Sequence, residues 1–199
     1  MPTSTILSRG FYLHSPDIVG RRLLGKLITR KLDGERLTAR IVEVEAYFGL
    51  DDPAAHSFAG KTERNAVLFG PPGVAYVYFI YGMYYCLNVS CEPDGQAGGV
   101  LIRALEPIAG LETMARLRKL PANAKPQLLT SGPGRLCQAL DITRAAHNGI
   151  DVTRPASELQ IRDDGYRPED IQATPRIGIS KAVDRPHRFL VAENAFVSK

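Results

Sequence analysis

Several polar side chains stand where apolar ones are expected. Glu43 and Glu45 lie inside R-I-V-E-V-E-A-Y, residues 40–47, a β-branched run. Strands are depleted in Glu and buried charge is costly, so two carboxylates here call for a reason. Arg103 interrupts V-L-I-R-A-L-E-P, residues 100–107. A buried guanidinium requires a carboxylate or similar partner, which Glu43 or Glu45 could supply. Asn88 sits in C-L-N-V-S, and its amide must be paired or must read a ligand edge. His56 follows Gly49 and the Asp51-Asp52-Pro53 cluster, which end the first run and turn the chain. Carboxylate, aromatic and imidazole gathered at one strand end could do general acid–base chemistry.

Each residue also has an ordinary explanation. Glu on the open face of a strand is commonly a solvated charge, and His56 a surface or capping histidine. An Arg103–Glu pair could be purely structural. The stretch Y-V-Y-F-I-Y-G-M-Y-Y-C-L-N, residues 76–88, is rich in tyrosine, which packs readily across strands. Tyr81 differs, because it stands at a hairpin tip beside Gly82. A ring there suits insertion between bases or docking on a partner. Ser131-Gly132-Pro133-Gly134 opens a helix and would offer backbone N–H groups to a phosphate. Lys61, Arg64, Arg135 and Arg176 are further phosphate candidates, each equally explained as a solvated charge.

The elements that must position these groups read as one mixed domain. Ser15 and Pro16 mark a helix start, and Gly25 its end. Lys26–Leu32 and Leu37–Phe48 form a hairpin around Asp33-Gly34. Alternation in the second run puts Val42, Val44, Ala46 and Phe48 on one face, and Ile41, Glu43, Glu45 and Tyr47 on the other. Residues 49–73 form a long loop, which in a compact domain is usually functional. Strands follow at Val74–Ile80, Tyr85–Ser90 and Val100–Leu105. Helical spacing covers Leu111–Leu120, and a second helix covers R-L-C-Q-A-L. Ile142–Gly149 adds a turn or short helix. Asp151–Leu159, Ile161–Arg162, Ile177–Ser180 and Phe189–Val191 give weaker strand signals. The expectation is an α+β fold: one compact domain spanning 1–199, with a curved, mostly antiparallel sheet flanked by helices.

Composition narrows the function. The 199 residues are 44% hydrophobic, enough for a real core, with a net charge of +4 that is compatible with nucleic acid. No apolar run reaches spanning length and the N-terminus lacks a secretory pattern, so an intracellular protein is expected. Cys86, Cys91 and Cys137 have neither metal-ligand spacing nor an even count, and read as small buried hydrophobes. The phosphate-binding loop, dinucleotide and serine-hydrolase motifs are missing, which weakens nucleotide-dependent and serine-hydrolase readings.

Taken together, the runs 40–47, A-A-H-S at 54–57, R-N at 64–65, 76–88, 100–107 and S-G-P-G-R-L-C-Q-A-L at 131–140 resemble the alkyladenine (3-methyladenine, methylpurine) DNA glycosylase family. P-R-I-G-I at 175–179 and R-F-L-V at 188–191 continue the likeness more loosely. The resemblance implies a monofunctional enzyme of base excision repair that hydrolyses the N-glycosidic bond of alkylated or deaminated purines. It implies Glu45 as general base, Arg103 and the backbone near Ile177 as its helpers, and Tyr47, His56 and Tyr78 as pocket walls. Tyr81 would fill the gap left in the duplex, on a β-hairpin protruding toward DNA. Asn88 would disfavour the exocyclic amine of guanine. No metal or cofactor is implied. The expected partner is double-stranded DNA with damaged purines, met by a monomer in the cytoplasm, at the nucleoid, if the cell is prokaryotic. Ser131, Gly134 and Arg135, with Lys61 and Arg64, are the expected phosphate contacts. A non-catalytic module that binds damaged DNA or other nucleic acid is the main alternative; a glycosylase-lyase with a Schiff-base lysine, for which no lysine stands out, and a hydrolase of free nucleosides are the others.

Overall fold

The structure, a computed structural model, describes residues 4–80 and 82–198. Strand β1 (Thr5–Ile6) and helix α1 (Pro16–Leu23) lead into the hairpin of β2 (Leu27–Leu32) and β3 (Glu35–Tyr47). After the long loop come β4 (Ala75–Ile80), β5 (Tyr84–Ser90) and β6 (Gly99–Ala109). Short helices α2 (Leu111–Leu117), α3 (Gln127–Thr130), α4 (Pro133–Ala139) and α5 (Arg144–His147) follow. Strands β7 (Leu159–Asp163), β8 (Ile171–Thr174) and β9 (Arg188–Val191) complete the order. The sheet runs β1-β7-β2-β3-β6-β5-β4, with β9 paired to both β3 and β8. Each of its ladders among the described residues is antiparallel. The expected class holds: one compact α+β domain on a curled antiparallel sheet.

Local chemistry accounts for much of this. Asp33 and Gly34 both take positive φ, 48° and 84°, as a two-residue hairpin turn requires. Helix α1 starts at Pro16 as expected, but the Ser15 hydroxyl donates to Asp17 Oδ1 at 2.5 Å instead of capping a backbone amide. The charged carboxylate is the stronger acceptor within its reach. Helix α1 packs on β3, and α4 packs on β5 and β6. Between sheet and helices lies one core that includes Val19, Leu23, Val77, Leu87, Ile102 and Leu136. All three cysteines are buried.

Strand β3 departs from simple alternation in a way that matters for function. Ile41, Val44 and Ala46 share the hydrophobic core, whereas Val42 is buried outside it. The register against β6 shifts between Ile41 and Glu43 and again between Glu43 and Val44. An irregularity of this kind turns the following side chains to the other face. The expected grouping of Ile41 with the glutamates, and of Val42 with Val44, is therefore corrected. Glu43 and Glu45 point away from the core, toward Arg103.

Other boundaries also move. Helix α2 stops at Leu117, with Lys119 at φ 54°. Asp151 makes only an isolated bridge to Val74, and the strand starts at Leu159. Residues 177–180 are loop, not strand, with Gly178 at φ 75°. Tyr81, the expected intercalating residue, lies outside the described residues. Its hairpin neighbour Met83 is 62% exposed.

The turn after β3 depends on Gly49. Its φ is 61°, and an added Cβ would lie 2.1 Å from the Ala97 carbonyl oxygen. Backbone cannot yield as a flexible side chain could. Gly49→Ala is expected to lower stability by more than about 1 kcal/mol, read as a shifted urea midpoint. An unchanged midpoint would contradict the crowding described.

Candidate active site

Register brings the singled-out residues together. Tyr76 of β4 is directly opposite Asn88 of β5, Asn88 opposite Leu101 of β6, and Leu101 opposite Glu45 of β3. Opposed residues share a sheet face, so these side chains form one row across the strands. Tyr47, Tyr78, Cys86 and Arg103, two positions along their strands, extend the same face. This face floors an open cleft of about 1090 Å³. His56 from the long loop and Ile177 from the loop before β9 stand on its sides, with Ala195 and Val197. Glu45, Tyr47, His56, Tyr78, Asn88, Arg103 and Ile177 thus all line a single cavity.

The two glutamates differ in how fully they are used. A carboxylate has about four lone-pair sites. Glu43 accepts from Arg103 Nε at 3.0 Å, Arg188 Nε at 2.6 Å, Ser198 Oγ at 2.8 Å and the Ser198 backbone amide at 2.6 Å. Glu45 Oε1 accepts from the Ile177 amide at 2.8 Å and is paired with an Arg103 terminal nitrogen at 3.1 Å. Its Oε2 accepts from the Tyr47 hydroxyl at 2.8 Å. Three of the Glu43 donors crowd onto Oε1 and one is on Oε2. Glu45 has two partners on Oε1 and one on Oε2 among the described residues, which leaves an acceptor position on that oxygen, and of the two glutamates it is Glu45 that lines the cleft. Both have 0% exposure. Arg103 pairs with both glutamates rather than one. Burial works against its charge, but Glu45 and Glu43 outweigh it and push its pKa up.

A second buried pair borders the first. Arg176 forks onto both oxygens of Asp52, and both side chains have 0% exposure. Asp52 also accepts from the Phe48 and Ala54 amides at 3.3 and 3.2 Å. Burial alone would raise the pKa of Asp52, but Arg176 and these amides hold it below the ordinary carboxylate value. The pair's stabilisation is complete above that ordinary value and is lost as pH falls through the lowered one. Across the site, Glu43, Glu45 and Asp52 balance Arg103, Arg176 and Arg188.

The aromatic wall is tuned as well. His56 Nδ1 lies 3.0 Å from the Tyr76 hydroxyl, and its ring meets Tyr78 edge-on at 4.4 Å. His56 remains exposed at the cleft edge. Desolvation by the neighbouring rings, then the charge of Arg64, hold its pKa below the ordinary imidazole value. Burial, then Glu45, push the Tyr47 phenol up, so it stays a proton donor. Burial does the same for Tyr78. The Asn88 amide is paired as its strand position demands, donating to the Tyr76 carbonyl at 3.2 Å.

The expected phosphate contacts fare differently. Ser131, Gly134 and Arg135 form the far wall of the cleft, joined by Arg118, which the sequence did not single out. Gly134 has a packing reason of its own: a Cβ there would meet the Tyr84 ring at 3.0 Å. Helix α4 is only seven residues long, which makes it a weak dipole. Lys61 and Arg64 are exposed on the long loop, outside the cleft lining. Arg176 is corrected outright, since Asp52 occupies its guanidinium. Sequence reasoning also missed the roles of Tyr76, Asp52, Arg188 and Ser198. Asp52 read as turn chemistry beside Pro53, and no local signal pointed to its distant partner.

A model of the family described as Methylpurine-DNA glycosylase (MPG) matches residues 10–195. The chain belongs to that family. It is 57% identical over 203 residues to a Koribacter versatilis protein named "Putative 3-methyladenine DNA glycosylase", covering 100% of this chain and 98% of that one. Proteins of the same name from Methanocella arvoryzae and Alkaliphilus oremlandii are 49% and 48% identical. They cover 98% and 97% of this chain, and 96% and 98% of their own lengths. As a methylpurine-DNA glycosylase the chain is a DNA-repair hydrolase acting on N-glycosyl bonds. No helix among the described residues is long and apolar enough to cross a membrane.

Two outcomes follow for this glycosylase. Removing a positive neighbour makes imidazole easier to protonate, so Arg64→Ala is expected to raise the His56 pKa in an NMR titration; a fall or no change would contradict the placement of Arg64. Glu43→Gln leaves Arg103 and Arg188 without a full counter-charge, and is expected to cost about 3–5 kcal/mol in urea unfolding.

Proposed function

We propose that this enzyme extrudes an alkylated or deaminated purine from duplex DNA and hydrolyses its N-glycosidic bond with a water activated by Glu45, leaving an abasic site. The observation that carries this reading is the buried Glu45 carboxylate, with one acceptor position left, on the floor of an aromatic-walled cleft. Glu43 is a poor alternative base because it does not line the cleft and both of its oxygens are held by scaffold donors.

A base inside the stack cannot be attacked, so it must leave the helix at a cost of a few kcal/mol. Tyr81 and the exposed Met83 on the β4–β5 hairpin would fill the space left behind. Tyr47, His56 and Tyr78 would enclose the extruded purine. N3- or N7-alkylated purines are cationic, and aromatic faces attract cations by roughly 0.5–2 kcal/mol. A neutral His56 adds no repulsion. The water oxygen then bonds to the sugar C1′ as the C1′–N bond breaks. The bonding pair neutralises a cationic alkylated purine, whereas a neutral deaminated purine leaves with it as an anion and takes a proton from solvent; in both cases the water proton goes to Glu45. Negative charge on Glu45 also stabilises positive charge growing on the sugar. Arg103 and the Ile177 amide would hold the carboxylate in line. Asn88, fixed on the Tyr76 carbonyl, would meet the base edge and leave the exocyclic amine of guanine unpaired or clashing. Arg118 and Arg135, with Lys61 and Arg64, supply positive charge for the DNA backbone.

Single-turnover release from duplexes carrying an alkylated purine or hypoxanthine tests this. Glu45→Gln is expected to slow release by at least about 100-fold while duplex affinity stays within a few-fold. Equal release by the variant and the wild type would remove Glu45 as base. Binding by the wild type with no release from either duplex would make the protein a damage-binding module.

A further inference from the structure

The amide of Ile177 is the only backbone donor to Glu45 among the described residues, and it sits on a segment with little to hold it. Strand β8 ends at Thr174, and β9 starts at Arg188. From Pro175 to Lys181, no described backbone group is hydrogen-bonded to another backbone group. Ile177 itself is 38% exposed. Left alone, such a segment would move freely, and an amide on it would not stay on one carboxylate oxygen.

The residue before it is the anchor. The Arg176 side chain is buried and makes contacts in three directions. Its terminal nitrogens grip both oxygens of Asp52. One of them also donates to the carbonyl of Ala46, the residue between Glu45 and Tyr47, at 2.9 Å. Its guanidinium lies 4.6 Å from the centre of the Tyr47 ring, whose hydroxyl holds the other oxygen of Glu45. Asp52 in turn takes the amides of Phe48 and Ala54, tying down the turn that follows β3. The same two side chains therefore link the loop carrying the Ile177 amide to the strand carrying Glu45. Lysine could not replace Arg176 here, because a point charge cannot fork onto Asp52 and reach Ala46 together.

We propose that Asp52 and Arg176 are positioning residues for the hydrolytic step, acting through the Ile177 amide to hold the Glu45 carboxylate in its working orientation. Neither lines the cleft. The proposal rests on Glu45 being the base. A carboxylate displaced by about 1 Å loses on the order of 100-fold in rate.

The test uses Arg176→Lys, Ile177→Pro and the double variant on the full chain. Ile177→Pro removes the donated N–H, at the cost of a fixed φ there and a restricted backbone at Arg176, and keeps both side chains of the buried pair, so it keeps the test open if Arg176→Lys fails to fold. Three quantities are measured: single-turnover release of an alkylated purine, affinity for the lesion duplex, and amide hydrogen exchange. Each single variant is expected to slow release about 10- to 100-fold with affinity within about threefold. The double variant is expected to be no slower than the worse single one, since both remove the same contact. In Arg176→Lys, the Ile177 amide is expected to lose exchange protection while Val44 and Ile102 keep theirs. Multiplying losses in the double variant would overturn the proposal, as would loss of protection throughout the core or retained protection at Ile177. Release within twofold of wild type in Ile177→Pro would also overturn it. Absence of release by the wild type would instead strike the proposed reaction, and the exchange data would still decide whether Arg176 holds the amide.

Discussion

Buried carboxylates are the constraint around which this protein is arranged. Glu43, Glu45 and Asp52 are all fully buried. Each would cost several kcal/mol if left unpaired. Three arginines and a set of backbone amides meet them, from β6, β9, the loop before β9 and Ser198. The partners come from distant parts of the chain, so the cost of burying these carboxylates is offset only when those parts have assembled. The β-irregularity in β3 serves the same end, because it turns the glutamates off the hydrophobic core while leaving Ile41, Val44 and Ala46 in it.

Within that cluster the two glutamates differ in their partners and in their access to the cleft. Glu43 accepts from four donors, three of them on one oxygen, and ties β3 to β6, β9 and Ser198. Glu45 keeps an acceptor position and faces the cleft. The cleft walls are phenols kept protonated by burial and an imidazole held neutral by its surroundings. Such walls are polarisable and uncharged, which suits a cationic purine and leaves Glu45 as the negative group that it would meet.

The alternation in residues 40–47, 76–80 and 84–90, with the Asp33-Gly34 turn, made the central strands legible from local chemistry. So did the oddity of Glu43, Glu45, Asn88 and Arg103 inside apolar runs, since strand interiors rarely admit such groups without partners. Family resemblance then pointed to Tyr47, His56, Tyr78 and Ile177. The short strands β1 and β8 were missed because few residues carry too little pattern. Ile177–Ser180 read as strand on composition, although Gly178 takes a left-handed conformation there.

By itself, then, the sequence determined which segments pair, which polar residues need an explanation and what chemistry they suit, because those properties depend on residue type and near neighbours. Tertiary structure alone decided that Arg103 serves both glutamates, that Glu45 rather than Glu43 lines the cleft, and that Arg176 belongs to Asp52 rather than to a phosphate. Asp52 and Arg176 are 124 residues apart. Nothing in the chain near either one encodes the other, and only the folded geometry brings a fork-shaped cation onto a buried carboxylate.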